Sequence, residues 1–444
     1  MSDSPIEVST DSGPAISSVG TQAIHKVRIR ILPFIWVLYI VAFLDRINIS
    51  FAALTMNQDL RITHEQFGLL TGIFFIGYFL FEIPSNLLLH KVGARLWIAR
   101  ILITWGFVAV LTGFVYSAHQ LYAMRFLLGL AEAGFAPGML LYLTYWFRQQ
   151  EQAQAVGLYL SGLPIATVLG APVSGLVLDH IHWLGLSSWR WLLILEGIPA
   201  VICGFLTYFL LPSRPEEAKF LTTDEKQWLR TELAREEQQK MEQRQLSTLQ
   251  ALTSARVWHL VVIYFGMATG LYSLTFWAPQ LVKSVSLGFS NTFIGFLVMI
   301  PSVVGVAAMI LISRSSDHTL ERRYHVAIPA IMGGVSLALL GPAHSTSVTV
   351  ALLSFVAIGV YGFLGPFWAL PSEFLTGFSA AAGIALINSV GNLGGFVGPY
   401  LIGAISGTAG SLYGGFGLSG LLVSAAAILV LLIPKRREDN RVTR

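Results

Sequence analysis

Ile31-Leu-Pro-Phe-Ile-Trp-Val-Leu-Tyr-Ile-Val-Ala-Phe-Leu44 continues as Asp45-Arg46-Ile-Asn-Ile-Ser-Phe-Ala-Ala-Leu54. The run exceeds the roughly 20 apolar residues that cross a bilayer as a helix. It nevertheless keeps an acid and an arginine well inside. Ionised groups at that depth are costly unless they pair or face water, so a span that retains both lines a polar pathway. Transport is therefore the first functional expectation.

The rest of the chain agrees with a membrane setting. It has 444 residues, 54% apolar and 12% charged, with a mean hydropathy of +0.66. Soluble domains carry about 25% charged residues. Apolar runs of span length recur at about 30–54, 66–89, 97–117, 120–146, 153–178, 189–211, 257–281, 290–313, 325–343, 347–370, 378–405 and 411–433. The expected fold is an all-α membrane protein with 12 transmembrane helices in two pseudo-symmetric six-helix bundles. Residues 1–27, rich in Ser, Asp, Gly, Thr and Pro, read as a disordered cytoplasmic N-terminus. Residues 28–211 and 257–434 are the two bundles. Residues 212–256 form a polar, charge-mixed, partly helical linker, and 435–444 a tail.

The halves look related. Ala155-Val-Gly157 returns as Ala381-Ala-Gly383, and each is followed by Gly and Pro, at Gly170-Ala-Pro172 and Gly398-Pro399. The loop His90-Lys-Val-Gly-Ala-Arg95 returns at nearly the same offset as Asp317-His-Thr-Leu-Glu-Arg-Arg323. Two repeats with a site between them at mid-membrane is a transporter pattern. Lys26, Arg28, Arg30, Lys91, Arg95, Arg148, Arg214, Arg314, Arg322, Arg323 and Lys435-Arg-Arg437 fall on one side of the alternating spans. This places both termini and the linker in the cytoplasm and favours an even span count.

Charge inside the spans concentrates in the first half. Span 1 has Asp45 and Arg46, span 2 Glu82, and span 4 Arg125 and Glu132. Arg125 and Glu132 are seven apart, so they share a helix face about 10 Å apart along the axis. Each therefore needs a partner elsewhere, and Asp45 is the candidate for Arg125. Burial favours a neutral carboxyl and a nearby guanidinium favours the ionised one. An acid whose arginine is engaged or released can therefore exchange a proton, and Asp45 and Glu132 are the two candidates, with Arg125 as organiser. Arg46 lies about 100° around the helix from Asp45 and can face a cavity, where its planar fork suits a carboxylate. The second half offers neutral polar groups. Asn388 and Asn392 share a face, Trp368 stands in Gly365-Pro-Phe-Trp-Ala-Leu-Pro371, and Tyr78 of span 2 can point a hydroxyl inward. Glu82 fits a structural or gating role as well as a transport one.

The histidines are scattered without ligand spacing, so no metal is expected. No phosphate loop is present, so ATP coupling and other cofactors are not expected. No nucleic-acid role is expected either, and no interfacial catalytic cluster suggests an enzyme. Cys203 stands alone, which excludes an internal disulfide.

These residues resemble the major facilitator superfamily, and more narrowly its anion:cation symporters. The resemblance is carried by Phe43-Leu-Asp-Arg-Ile-Asn-Ile, Glu82-Ile-Pro-Ser-Asn-Leu-Leu-Leu, Gly93-Ala-Arg-Leu-Trp, Arg125-Phe-Leu-Leu-Gly-Leu-Ala-Glu-Ala-Gly-Phe-Ala-Pro-Gly and Ala381-Ala-Gly-Ile-Ala-Leu-Ile-Asn-Ser-Val-Gly-Asn-Leu-Gly-Gly. It covers about Arg28 to Lys435. It implies that Asp45 and Glu132 are protonation sites linked by Arg125. It further implies that Arg46 meets a substrate carboxylate, that Tyr78 and Asn392 line the cavity, and that the bundles rock about the site. Lys91, Arg95, Asp317 and Arg322 are the expected gating residues of the two repeated loops. His90 stands where the family usually has Asp, a departure from the family's gating pattern in the first half. Phe43 replaces a Tyr found in some sugar-acid carriers, which points to a less hydroxylated substrate. The expectation is a monomeric proton-coupled symporter of the bacterial inner membrane, importing a sugar acid, a hydroxy-dicarboxylate such as tartrate, or an aromatic carboxylate. An exporter or antiporter of another small metabolite or drug is the alternative on the same fold.

Overall fold

The computed structural model of the chain describes residues 18–242, 248–371, 377–409 and 413–433. Among these the regular structure is helical throughout. The first half holds α1 (Ser18–Asp59), α2 (His64–Val92), α3 (Ala94–Thr112), α4 (Ala118–Glu132), α5 (Phe135–Thr144), α6 (Gln149–His180) and α7 (Ser188–Leu210). The linker carries α8 (Thr223–Glu242) and α9 (Thr248–Thr253). The second half holds α10 (Ala255–Val285), α11 (Asn291–Thr319), α12 (Arg323–Leu339), α13 (Thr346–Gly362), α14 (Leu364–Ala369), α15 (Gly377–Gly391), α16 (Gly394–Ala409) and α17 (Tyr413–Leu431).

Ten segments among the described residues are long and apolar enough to cross a membrane, α4–α5 and α13–α14 each counting as one. The 17-residue α12 and the interrupted pair α15–α16 complete twelve. The packing repeats between halves. α3 lies along α7 as α12 lies along α17, and α2 along α4 as α11 along α13. Across the seam α2 packs on α16 and α6 on α11, with α1 against α10 at the centre. That arrangement is the structural form of the sequence repeat.

The helix breaks have local causes. α4 ends at Glu132 because Gly134 takes φ +84, a left-handed conformation that favours glycine. A Cβ there would also meet Ser85 Oγ at 2.3 Å. Pro137 then falls in the first turn of α5, where its missing N–H costs nothing. Glu132 is thereby fixed at a helix end beside α1 and α2.

At the end away from the linker the seam is shut. Gly68 and Gly403 lie Cα against backbone, where a Cβ on Gly403 would sit 2.4 Å from the His64 carbonyl. Asp179, at the end of α6, caps α11 by accepting from Asn291 N (3.1 Å), Asn291 Nδ2 (2.8 Å), Thr292 N (2.7 Å) and Thr292 Oγ1 (2.7 Å). A carboxylate at a helix N-terminus also meets the positive end of the macrodipole. Asn57 donates to Gln280 at 3.2 Å.

The N-terminal boundary differs from the sequence expectation. Residues 18–27, assigned above to a disordered segment, are the first turns of α1. Ala23, Val27, Ile31 and Ile35 recur every fourth residue and are fully buried, so the apolar stripe runs back through them. The linker helix holds this extension. Lys26 Nζ lies 2.8 Å from Glu225 Oε1, and the Trp228 ring covers Gly20. Burial pushes the Glu225 carboxyl up, but its bonds from Lys26 and Thr222 outweigh this and hold it below the usual range. Arg148 sits over the Trp228 ring at 4.9 Å and pairs with Glu151 and Glu232. The tail 435–444 lies outside the described residues.

Candidate functional site

Arg46 is the centre of the site. α1 carries it to the seam, where its guanidinium forms an ion pair with Glu132 of α4 and donates to Tyr272 Oη of α10 at 3.1 Å. One side chain therefore joins two spans of the first half and reaches the second. The rings of Phe43, Phe74 and Tyr78 surround it at 5.3, 5.1 and 5.5 Å. Aromatic faces stabilise a desolvated cation. Arg46 keeps 11% of its side-chain surface exposed, whereas Glu132 keeps 1%. Glu132 Oε2 is buried without a hydrogen-bond partner, so Arg46 is the group through which Glu132 meets the seam.

Asp45 points elsewhere. It is 1% exposed and accepts from Trp105 Nε1 of α3 at 2.5 Å and from Asn48 Nδ2 at 3.4 Å. The 100° turn that takes Arg46 to the seam takes Asp45 into the interior of the first bundle. The expected pairing of Asp45 with Arg125 is corrected by these contacts. Arg125 is buried over the Phe74 ring at 5.2 Å, and its Nε and Nη2 have no hydrogen-bond partner. It is near enough to act electrostatically on both acids, but bonded to neither among the described ion pairs.

The polar groups of the second half are tied to one another and to α2. Asn388 Nδ2 donates to Glu82 Oε1 at 3.0 Å, across the seam. Asn392 Nδ2 donates to Asn388 Oδ1 at 3.1 Å. Trp368 of α14 packs edge-on to Tyr264 at 5.0 Å and against Phe367. A cavity of about 20 Å³ lies between the halves, lined by Ser50, Phe51, Thr167, Thr275, Ser302 and Tyr361 among others. That is room for about one water, so the seam is closed at that level.

Among the described contacts, no bond joins the loop residues of one half to those of the other. Arg322 donates to Asp317 at 2.5 Å and to Ser316 Oγ at 3.0 Å within its own loop. Arg95 stacks over Tyr208 at 6.0 Å, and its backbone N–H donates to Ser213. Lys91 is exposed. Arg95 and the Asp317–Arg322 pair therefore each brace their own half.

Sequence reasoning missed Trp105, Phe74 and Tyr272. For Tyr272 a signal existed, because it stands 226 residues after Arg46, the offset between the repeated Ala-x-Gly segments. The two residues are pseudo-symmetric mates facing each other across the axis.

The comparisons with known proteins agree with this architecture. Residues 35–399 match the family model described as Major Facilitator Superfamily. An Agrobacterium vitis protein named "Putative tartrate transporter" is 47% identical over 425 residues, covering 96% of this chain and 97% of its own. An Acinetobacter baumannii "Quinolone resistance transporter" is 38% identical, covering 94% and 96%. The crystal structure of a bacterial homologue of the human lysosomal transporter Spinster, in an inward-facing and occupied conformation, superposes with a TM-score of 0.68 at 16% identity. It covers 91% of this chain and 95% of that one.

Proposed function

The chain belongs to the major facilitator superfamily, and on that premise we propose that it imports a small organic anion with one or more protons across a bacterial inner membrane. It is a multi-pass transporter of small metabolites, not an enzyme. Proton coupling, the anionic substrate and the direction of transport are the parts proposed. The linker and the basic loops mark the cytoplasmic side in this reading.

The observation that carries the proposal is the Arg46–Glu132 ion pair at the seam, with Tyr272 as its link to the second half. A substrate carboxylate competes with Glu132 for the same guanidinium. Once Arg46 turns to the substrate, Glu132 is a buried carboxylate without its counter-charge. Such a group costs far more than the neutral acid, so Glu132 takes up a proton. Substrate and proton then sit together without adding net charge to the seam, and the halves rock over them. Release on the cytoplasmic side returns Arg46 to Glu132 and expels the proton. Tyr78 and Tyr272 offer hydroxyls beside the bound anion, while Asn392 and Trp368 lie on the second-half face. Asp45 and Arg125 set the field around Glu132 from behind.

The Acinetobacter relative favours a second reading, export of a drug. Both are tested by uptake into proteoliposomes with an imposed pH gradient, across hydroxy-acids, sugar acids, aromatic acids and a quinolone. One transported anion accumulates on the alkaline side, up to about tenfold per pH unit for each coupled proton. Transport indifferent to the gradient, or confined to the quinolone, rejects the importer reading.

A further inference from the structure

Glu82 is a buried acid that the transport scheme does not use. It lies in α2, one turn beyond Tyr78, and is 2% exposed. Its Oε1 accepts from Asn388 Nδ2 of the opposite half at 3.0 Å, the Ser389 hydroxyl is a second neutral donor to the carboxyl, and Oε2 is buried without a partner of its own. No cation pairs with it among the described ion pairs. The groups that face it are Tyr78 on its own helix, Arg46 from α1, Tyr264 and Tyr272 from α10, and Asn388 and Ser389 from α15. Of these only Arg46 is a cation, and it is bonded to Glu132. Glu82 lies about 27 Å along α2 from His64, towards the linker side, so its environment depends on whether that side is open.

We propose that Glu82 is a second proton-binding site, filled when the linker-side parts of α2 and α15 close on each other and emptied when they separate. Closed, the carboxyl is buried and meets only neutral donors, the Asn388 amide and the Ser389 hydroxyl. As an acid it remains a satisfied acceptor of the Asn388 bond, whereas as an anion it is a buried charge without a counter-ion. Parted, the same carboxyl faces water and ionises freely. Closure therefore binds one proton, and opening returns it to the compartment it came from. Glu82 adds nothing to the protons carried across. It makes the linker-side gate respond to the acidity of that compartment: the closed state holds the extra proton, so lowering the pH favours it.

The full chain, with Cys203→Ala, carries spin labels at Gln150→Cys on α6 and His318→Cys on α11, both exposed at the linker side. Their separation is measured by pulsed electron resonance in nanodiscs, without substrate or gradient. The ratio of short to long separations is expected to rise about tenfold per unit fall in pH across roughly pH 7 to 5, where an exposed Glu is ionised. Glu82→Gln is expected to remove the slope and hold the short separation, while Glu132→Gln keeps the slope. Asn388→Ala is expected to lower the short population about tenfold at acid pH, and serves if Glu82→Gln does not fold. A slope retained in Glu82→Gln, a flat parent, or an Asn388→Ala variant identical to the parent overturns the proposal. The scheme shares with the importer reading only the separation of the halves. A failure of proton-driven anion uptake leaves these distances interpretable.

Discussion

Glu132→Gln is expected to equilibrate the substrate across the membrane without accumulating it. The glutamine keeps the shape of the side chain and an oxygen for Arg46, but it can neither neutralise the guanidinium nor carry a proton. Arg46 becomes a buried cation without a counter-charge, so the substrate anion binds without proton uptake. Exchange of labelled for unlabelled substrate survives, because it needs only a loaded carrier that changes sides. Under a gradient of one pH unit the accumulation ratio of the parent, up to about tenfold per coupled proton, falls to about one. Wild-type accumulation in this variant would remove Glu132 from the coupling step.

Arg46→Lys carries the second large effect, on binding. The arginine uses separate guanidinium nitrogens for Glu132 and Tyr272 while its plane lies among three aromatic rings. A lysine keeps the charge but offers a compact ammonium without the fork. Losing one charge-assisted hydrogen bond costs about 1.5–3 kcal/mol, which is roughly ten- to hundredfold in Kd. Binding calorimetry on purified protein reads it directly. An unchanged affinity would show that the carboxylate is held elsewhere, with Arg46 serving only to neutralise Glu132.

Much of this site was legible in the chain because depth makes charge expensive. Asp45, Arg46, Arg125 and Glu132 stand out of apolar runs, and the step of 100° between neighbours separates Asp45 from Arg46 by direction alone. The helix count followed from length, and the two-fold arrangement from the repeated Ala-x-Gly and loop segments. Rotation of whole helices was not legible. The ring of Trp105 takes the Asp45 carboxyl because α3 turns that face inward, and nothing in the apolar residues around Trp105 marks it. Arg125 stacks on Phe74 for a similar reason: α2 and α4 cross so closely that a ring fills the space where an acid was expected. The bond between Glu82 and Asn388 joins residues 306 apart, and only assembly of the halves creates it. The early start of α1 depends on Trp228 and Glu225 of the linker, a tertiary effect that the polar composition of residues 1–27 conceals.

Coupling in this transporter turns on a carboxylate displacing Glu132 from Arg46, after which Glu132 binds a proton. Mixing purified protein with its substrate in weakly buffered solution containing a pH indicator tests this without a membrane or a gradient. About one proton should be taken up per anion bound, and none in Glu132→Gln. Saturable binding with no proton uptake, or the same uptake in Glu132→Gln, would contradict it.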